Sequence, residues 1–144
     1  VNIEIKNWHE DVDFDENDTL AATVASHLAQ RGEDPRWVIS SFNRRTVDAM
    51  RTLLPSVRTA WLTLGVRDDE AARTARDLSR SGHIALHPWD RFLTRACVEE
   101  FHAEGLQVNV WTVDDPARIA ELAGWGVDGI VTNVPDIARR ALGR

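Results

Sequence analysis

Short apolar runs alternate with segments of helical periodicity from one end of the chain to the other. The apolar runs are rich in Val, Ile and Trp and are bounded by Gly, Pro, Asn or Asp, which is typical of β-strands. We predict strands at residues 1–6, 37–42, 58–64, 83–87, 106–113 and 129–133. The helical periodicity predicts helices at residues 18–30, 44–53, 69–80, 94–104, 116–125 and 135–142.

Three predicted helix starts carry residues that commonly cap a helix. Asp18 or Thr19 can cap the first helix, and Asn43 can cap the second. Asp115 precedes Pro116, whose fixed φ suits the first turn of a helix.

The regular alternation of strand and helix predicts βαβ crossovers and a mainly parallel sheet of the α/β class. Two architectures fit this pattern: a small open doubly wound sheet, and a run of units from a TIM-type (β/α) barrel. A complete barrel needs about 250 residues, whereas this chain has 144. Because the first residues already form a buried-looking strand, we expect a cut edge at that end. A flavodoxin-like domain is a weaker alternative, since no phosphate-binding loop is legible.

Composition excludes several classes of protein. The formal net charge of −6 leaves no basic footprint for nucleic acid or anionic lipid. The single cysteine, Cys97, excludes a disulfide framework and a Cys-rich zinc site. No apolar run approaches the roughly 18 residues that a transmembrane helix requires. The chain begins at Val1, so the compartment, cytoplasmic or secreted, stays open.

The first predicted strand carries an acid and a base on one face. Side chains alternate along a strand, so Asn2, Glu4 and Lys6 share one face while Ile3 and Ile5 share the other. A carboxylate suits Mg²⁺ or Ca²⁺, and an ammonium suits a phosphate. The alternative is an exposed Glu–Lys pair, and the spacing alone favours neither interpretation.

Other candidate groups carry weaker signals. The acidic loop at residues 9–18 has alternating aspartates, but Glu16 stands where a calcium loop needs Gly and Ala22 where it needs Glu. His9 and His87 follow predicted strands, so both could face a site as acid–base groups. Trp111, at a strand end, is the tryptophan expected to line a pocket. The other five are expected to pack in the core or between the helices and the sheet.

Five segments, read in order, resemble the glycerophosphodiester phosphodiesterases. They are residues 2–6 (Asn-Ile-Glu-Ile-Lys), 39–43 (Ile-Ser-Ser-Phe-Asn), 85–88 (Ala-Leu-His-Pro), 105–114 (Gly-Leu-Gln-Val-Asn-Val-Trp-Thr-Val-Asp) and 126–136 (Gly-Val-Asp-Gly-Ile-Val-Thr-Asn-Val-Pro-Asp). The resemblance implies that residues 1–144 form one segment, the carboxyl-terminal part of a TIM-type barrel whose amino-terminal strands are missing.

The family uses a divalent cation and two histidines to hydrolyse a glycerophosphodiester to glycerol 3-phosphate and an alcohol. The histidines lie in a His-Arg-Gly and a His-Asp motif, and a Glu-x-Asp motif supplies metal carboxylates; we expect all three motifs to lie outside this chain. The resemblance implies Glu4 as a ligand of Mg²⁺ or Ca²⁺, Lys6 as a phosphate-side cation, and Trp111 and Phe42 as pocket walls. No catalytic residue is then expected in this segment, and the isolated chain should have little hydrolytic activity.

Two positions depart from the family pattern, and one alternative function remains. Asp114 stands where the family usually has Asn, and Asn133 where it usually has Asp, which leaves substrate preference open. The alternative is a non-catalytic binding or assembly module, a degenerate barrel half that forms a homodimer through its open strand edges.

Overall fold

Six strands and six helices alternate along the part of the chain that the computed structural model describes, residues 1–32 and 36–143. The strands are β1 (Asn2–Glu4), β2 (Val38–Ser41), β3 (Arg58–Thr63), β4 (Ala85–Pro88), β5 (Gln107–Val110) and β6 (Gly129–Ile130). The helices are α1 (Thr19–Arg31), α2 (Arg44–Leu53), α3 (Asp68–Arg80), α4 (Arg95–Ala103), α5 (Pro116–Trp125) and α6 (Pro135–Ala141). The predicted helices agree with these bounds to within one residue, whereas a 3-10 turn at Asp90–Phe92 was not predicted.

The strands lie in the sheet in their chain order, β1 to β6, and every pairing is parallel. A doubly wound sheet reverses its strand order at a switch point, whereas a barrel adds each strand beside the previous one. The observed order therefore excludes the open doubly wound sheet. It confirms the predicted α/β architecture, a half-barrel of the TIM type with mainly parallel strands.

The helices pack against one face of the sheet through two apolar clusters. The first joins β1 and β2 to α1 and α2 around Ile5, Ile39 and Met50. The second joins β4 and β5 to α3, α4 and α5 around Leu86 and Phe101. Along each strand, the side chains in these clusters alternate with side chains that point to the inner face of the half-barrel. None of the described helices has both the length and the apolar character needed to cross a membrane.

Local hydrogen bonds account for most of the helix starts. Asn43 accepts from the backbone N–H of Arg45 and Asp115 from that of Arg118, so both predicted caps are confirmed. The predicted cap at Asp18 or Thr19 is wrong: Asp18 has φ 52° and no capping bond. Instead, Asp15 Oδ2 accepts from the N–H of Leu20 at 2.7 Å and thereby supplies the bond that the helix start requires.

Candidate active site

The carboxyl end of β1 opens into a cleft of about 430 Å³. Glu4 and Lys6 line this cleft together with Phe42, which follows β2. Ile3 and Ile5 pack into the helix-side cluster, so the predicted alternation of faces is observed. The acid and the base of the first strand therefore face one shared space on the inner side of the sheet.

Glu4 and Lys6 are both exposed and carry no internal partner. Neither forms a hydrogen bond or an ion pair with another side chain in residues 1–32 or 36–143. The exposed Glu–Lys pair, which the spacing left open, is therefore not formed. The cleft therefore holds a carboxylate and an ammonium without partners among the described residues, beside two further carboxylates, those of Glu10 and Asp11.

A row of aromatic rings runs along the rim from this cleft. Phe42 lies 5.1 Å from Trp8 and 5.5 Å from Trp111 between ring centroids, and both contacts are edge-to-face. Trp111 stacks on Trp89 at 6.3 Å, and Trp89 meets Phe92 at 5.6 Å. The structure thus brings the two predicted wall residues, Phe42 and Trp111, together. The expectation that Trp8 and Trp89 pack in the core is wrong, because both follow strand ends and are only half-buried.

Polar contacts hold the aromatic row in place. The indole N–H of Trp111 donates to the carbonyl of His87 at 2.8 Å, and the N–H of Asp90 donates to the carbonyl of Trp111 at 2.8 Å. Arg118 Nε donates to Asp90 Oδ1 at 2.8 Å, which ties α5 to the turn after β4. These bonds fix the rings in one arrangement, as a pocket wall requires.

Asn7 organises the loop between β1 and α1. It is 3% exposed. Its side chain donates to Thr46 Oγ1, Asp18 Oδ1 and the carbonyl of Asp15, and accepts from the N–H of Asp15. Asn7 is therefore a buried hub that joins this loop to α2 and orients the chain directly after Lys6. No local sequence pattern indicates this role, because the partners of Asn7 lie up to 39 residues away.

His87 lies on the inner face of β4 and is buried. Asn109 Nδ2 is 3.0 Å from His87 Nε2, and since an amide NH₂ only donates, Nε2 accepts and the ring proton lies on Nδ1. Burial lowers the pKa of His87 to about 4, so the imidazole is neutral at pH 7. A Cβ at Gly129 would overlap Asn109 Oδ1, so this glycine leaves room for the amide that orients the histidine. Of the two candidate histidines, His87 is thus enclosed in the sheet, whereas His9 is exposed beside Trp8.

Asp114 and Asn133, the two departures from the family pattern, contact each other. Asp114 accepts from Asn133 through its N–H at 2.8 Å and its amide at 2.9 Å, and from the Thr132 hydroxyl at 2.9 Å. The hydrogen bonds from Asn133, with that from Thr132, keep the pKa of Asp114 below its ordinary value. The two departures are therefore one exchange of Asn and Asp within a pair that joins the loops after β5 and β6.

The Asp, Glu, His and Cys side chains that the structure describes do not by themselves form a complete metal-binding site. In residues 1–32 and 36–143 no group of three or more His, Cys, Asp or Glu side chains could hold an ion. A Glu-x-Asp triplet does occur, contrary to expectation, at residues 16–18. However, Asp18 Oδ1 already accepts from the hydroxyl of Thr46 at 2.6 Å. In the same loop, the backbone N–H of Leu20 and further donors lower the pKa of Asp15. Asp15 and Asp18 therefore serve the local structure of the loop, whereas Glu4, Glu10 and Asp11 place carboxylates along the cleft.

A parallel half-barrel with charged groups and aromatic rings at the carboxyl ends of its strands is the framework of a TIM-barrel enzyme site. Comparison with known proteins agrees with this class. The model of the glycerophosphoryl diester phosphodiesterase family matches residues 1–137, so the chain belongs to that family and the resemblance is confirmed.

Individual relatives support the same assignment. "Probable glycerophosphodiester phosphodiesterase 2" of Mycobacterium tuberculosis is 38% identical over 125 residues, which cover 74% of this chain and 45% of that protein. The crystal structure of a glycerophosphodiester phosphodiesterase from Parabacteroides distasonis superposes with a TM-score of 0.77 at 26% identity, over 99% of this chain and 56% of that one. An Oleispira antarctica phosphodiesterase, solved with the product sn-glycerol-3-phosphate, has the same fold at a TM-score of 0.76 and 20% identity, over 88% of this chain and 50% of that one. The chain spans 41% to 52% of the length of three curated relatives that it matches.

Proposed function

We propose that this chain forms the substrate-binding part of an enzyme that hydrolyses glycerophosphodiesters to glycerol 3-phosphate and an alcohol. The observation that carries the proposal is the pair of unpartnered charges, Glu4 and Lys6, in a cleft bordered by an aromatic wall. Membership of the family supports the reaction class. The glycerol 3-phosphate bound to the Oleispira relative supports the kind of product.

Each site residue has a role that its chemistry suits. Lys6 binds the phosphate as a point charge, which needs no fixed orientation of the ammonium. Glu4 contributes one oxygen ligand to Mg²⁺ or Ca²⁺, a cation that when bound polarises phosphoryl oxygens. Phe42, against which Trp111 packs, shields one side of the cleft from water, which strengthens the charge contacts within it.

The isolated chain should hydrolyse these diesters slowly or not at all. The one inner-face histidine, His87, is neutral and bonded to Asn109, and it does not line the cleft. Proton transfer to the leaving alcohol needs an acid–base group within hydrogen-bond reach. We propose that this group is supplied from outside residues 1–144.

Binding of glycerol 3-phosphate, measured by titration calorimetry with and without Mg²⁺, tests the proposed roles. We expect Lys6→Met to weaken binding by about tenfold, the loss of one charge-assisted contact. Glu4→Gln should remove the dependence on Mg²⁺. Arg139→Met and Glu100→Gln, at exposed positions on α6 and α4, are the matched controls and should bind as the unmodified chain does. Equal affinities in all five proteins would overturn the proposal.

An assay of glycerophosphocholine hydrolysis with added Mg²⁺ or Ca²⁺ tests the proposed inactivity. We expect turnover no faster than that of a Glu4→Ala variant. Robust turnover that Glu4→Ala abolishes would show instead that the groups in residues 1–144 suffice for catalysis.

A second candidate, a non-catalytic assembly module, is favoured by one observation. Among the described strands, β1 and β6 each pair with a single neighbour, so each leaves one edge of backbone donors and acceptors unpaired. A second copy of the chain could pair with these edges and form a homodimer. Light scattering distinguishes the candidates, because a monodisperse dimer supports assembly and a monomer contradicts it.

A further inference from the structure

A second cavity lies beside the cleft, between the loops that follow β3 and β4. It is an open hollow of about 660 Å³, within the usual volume range of small-molecule sites. Its apolar surface comes from Leu64, Val66 and Phe92. Leu64 is 46% exposed and Phe92 is 55% exposed, so two large apolar side chains face solvent across one hollow. We call this cavity the apolar depression.

Specific contacts build the apolar depression. A Cβ at Gly65 would lie 3.0 Å from Phe92 Cβ, so the absence of a side chain there lets the two loops approach closely. The hydroxyl of Thr63 accepts from the N–H of Gly65 at 3.2 Å and fixes the first loop. The hydroxyl of Thr94 donates to Asp68 Oδ1 at 2.6 Å and joins the starts of α3 and α4. The hollow is therefore pre-formed, which reduces the entropic cost of filling it.

The charged groups at its border already have contacts with neighbouring side chains. Arg67 donates two hydrogen bonds of 2.9 Å to Asp69, and Asp68 accepts from Thr94. The guanidinium of Arg91 lies 5.7 Å from the ring centroid of Phe92. A polar ligand would have to break these contacts, whereas an apolar ligand gains from covering Leu64 and Phe92.

The apolar depression is continuous with the cleft that holds Glu4 and Lys6. Leu64 lines both, and so forms the ridge between them. The aromatic row makes the same connection, because it begins at Trp8 beside the cleft and ends at Phe92. A molecule with a phosphodiester in the cleft could extend over Leu64 into the depression.

We propose that the apolar depression binds the alkyl or acyl chain of an amphiphilic phosphodiester whose phosphate group lies in the neighbouring cleft. This inference rests on the proposed function and names the substrate class: diesters that carry an apolar chain, in preference to those with two small polar alcohols. The alkyl or acyl chain of the ligand is bound by the apolar surface that it covers on Leu64 and Phe92, and the phosphate is bound by the charge of Lys6.

Three ligands separate the contribution of an alkyl chain to binding from that of the phosphodiester. Titration calorimetry of residues 1–144 compares glycerophosphocholine, decylphosphocholine below its micellar concentration, and decyl maltoside. We expect decylphosphocholine to bind about tenfold or more tightly than either of the others, since burying even two methylene groups accounts for that ratio. Equal binding of decyl maltoside and decylphosphocholine would overturn the inference, because it would indicate a general detergent site.

Two variants then test whether Phe92 accounts for the higher affinity of decylphosphocholine. Phe92→Ser should bring the ratio of decylphosphocholine to glycerophosphocholine affinity close to one. Leu53→Ser on α2 is the matched control, since Leu53 is 48% exposed, and it should keep the ratio of the unmodified chain. A ratio that Phe92→Ser leaves unchanged would contradict the inference.

The same titrations distinguish the inference from the proposed function. A ratio near one in the unmodified chain, with binding that still depends on Lys6, would overturn the inference and leave the proposed function standing. A large ratio that Phe92→Ser removes, with binding that is unaffected by Lys6→Met, would support the depression and contradict the proposed function.

Discussion

The two sides of the rim differ in what their polar side chains contact. At β1, Glu4 and Lys6 face the cleft, and neither has a partner among the described residues. At β4 and β5, and in the loops that follow β5 and β6, polar side chains bond one another, as His87 does with Asn109 and Asp114 with Asn133. Buried or bonded groups stabilise one arrangement of the frame, whereas unpartnered groups leave their interaction energy for a ligand. The rim therefore has an open side, β1 with β2, where we propose that the substrate binds, and a closed supporting side.

The largest expected effect is the pH dependence of the closed side. An unfolded histidine takes up its proton near pH 6.5, but buried His87 does so only near pH 4, so the unfolded state binds more protons between these values. Stability is therefore full above about pH 6.5 and falls by about 3 kcal/mol as the pH drops toward 4. Urea unfolding at several pH values measures this slope.

His87→Gln keeps an acceptor for Asn109 and should remove most of the slope. Burial also lowers the pKa of His83, on the helix side of the sheet, although its hydrogen bond to Asp48 opposes the shift, so part of the slope should persist. His9→Gln, at an exposed position, is the control and should keep the full slope. An unchanged slope in His87→Gln would mean that the closed side does not exclude water from this imidazole.

The next effect tests the close contact behind His87. Gly129→Ala places a methyl group against Asn109 Oδ1, and we expect a loss of about 2 kcal/mol in the free energy of unfolding from overpacking. Gly124→Ala is a matched control within α5, where a Cβ meets nothing within 4 Å, and it should stabilise by a few tenths of a kcal/mol or more. Equal stability of the two variants would contradict a close contact between Gly129 and Asn109.

A smaller effect tests the pair formed by Asp114 and Asn133. Asp114→Asn or Asn133→Asp alone removes the match between acceptor and donor, and each should lower the melting temperature. The double exchange restores one carboxylate and one amide and should recover most of the loss. Additive losses in the double variant would show that the two side chains do not act as a unit.

The smallest effect is expected on the open side. Glu4→Gln and Lys6→Met remove charges that have no partner in the described residues, so the free energy of unfolding should change by less than about 0.5 kcal/mol. Chemical denaturation measures this, beside ligand titrations in which the same variants lose affinity. A loss of more than about 1 kcal/mol in either variant would place these residues in the supporting frame.

Patterns local in sequence predicted the fold and the positions of several residues of the candidate site. Strand alternation placed Glu4 and Lys6 on one face, and strand ends indicated Trp111 and Phe42 as rim residues. The contacts that could not be predicted join distant segments. Asn7 donates a hydrogen bond to Thr46, which is 39 residues away in the sequence. The departures at Asp114 and Asn133 can be recognised as a single exchange only because the fold brings the two side chains into contact.

Chain connectivity affects β1 differently from its neighbours. Asn2 pairs with Val38 across 36 residues, whereas Val38 pairs with Arg58 across 20. Joining more distant segments has a higher entropic cost, about 0.5 kcal/mol for this difference, and β1 has only one partner among the described strands. We expect amide hydrogens of β1 to exchange with solvent sooner than those of β3, because the strand that carries Glu4 detaches more readily than the inner strands. A ligand bound at Glu4 and Lys6 should slow this exchange.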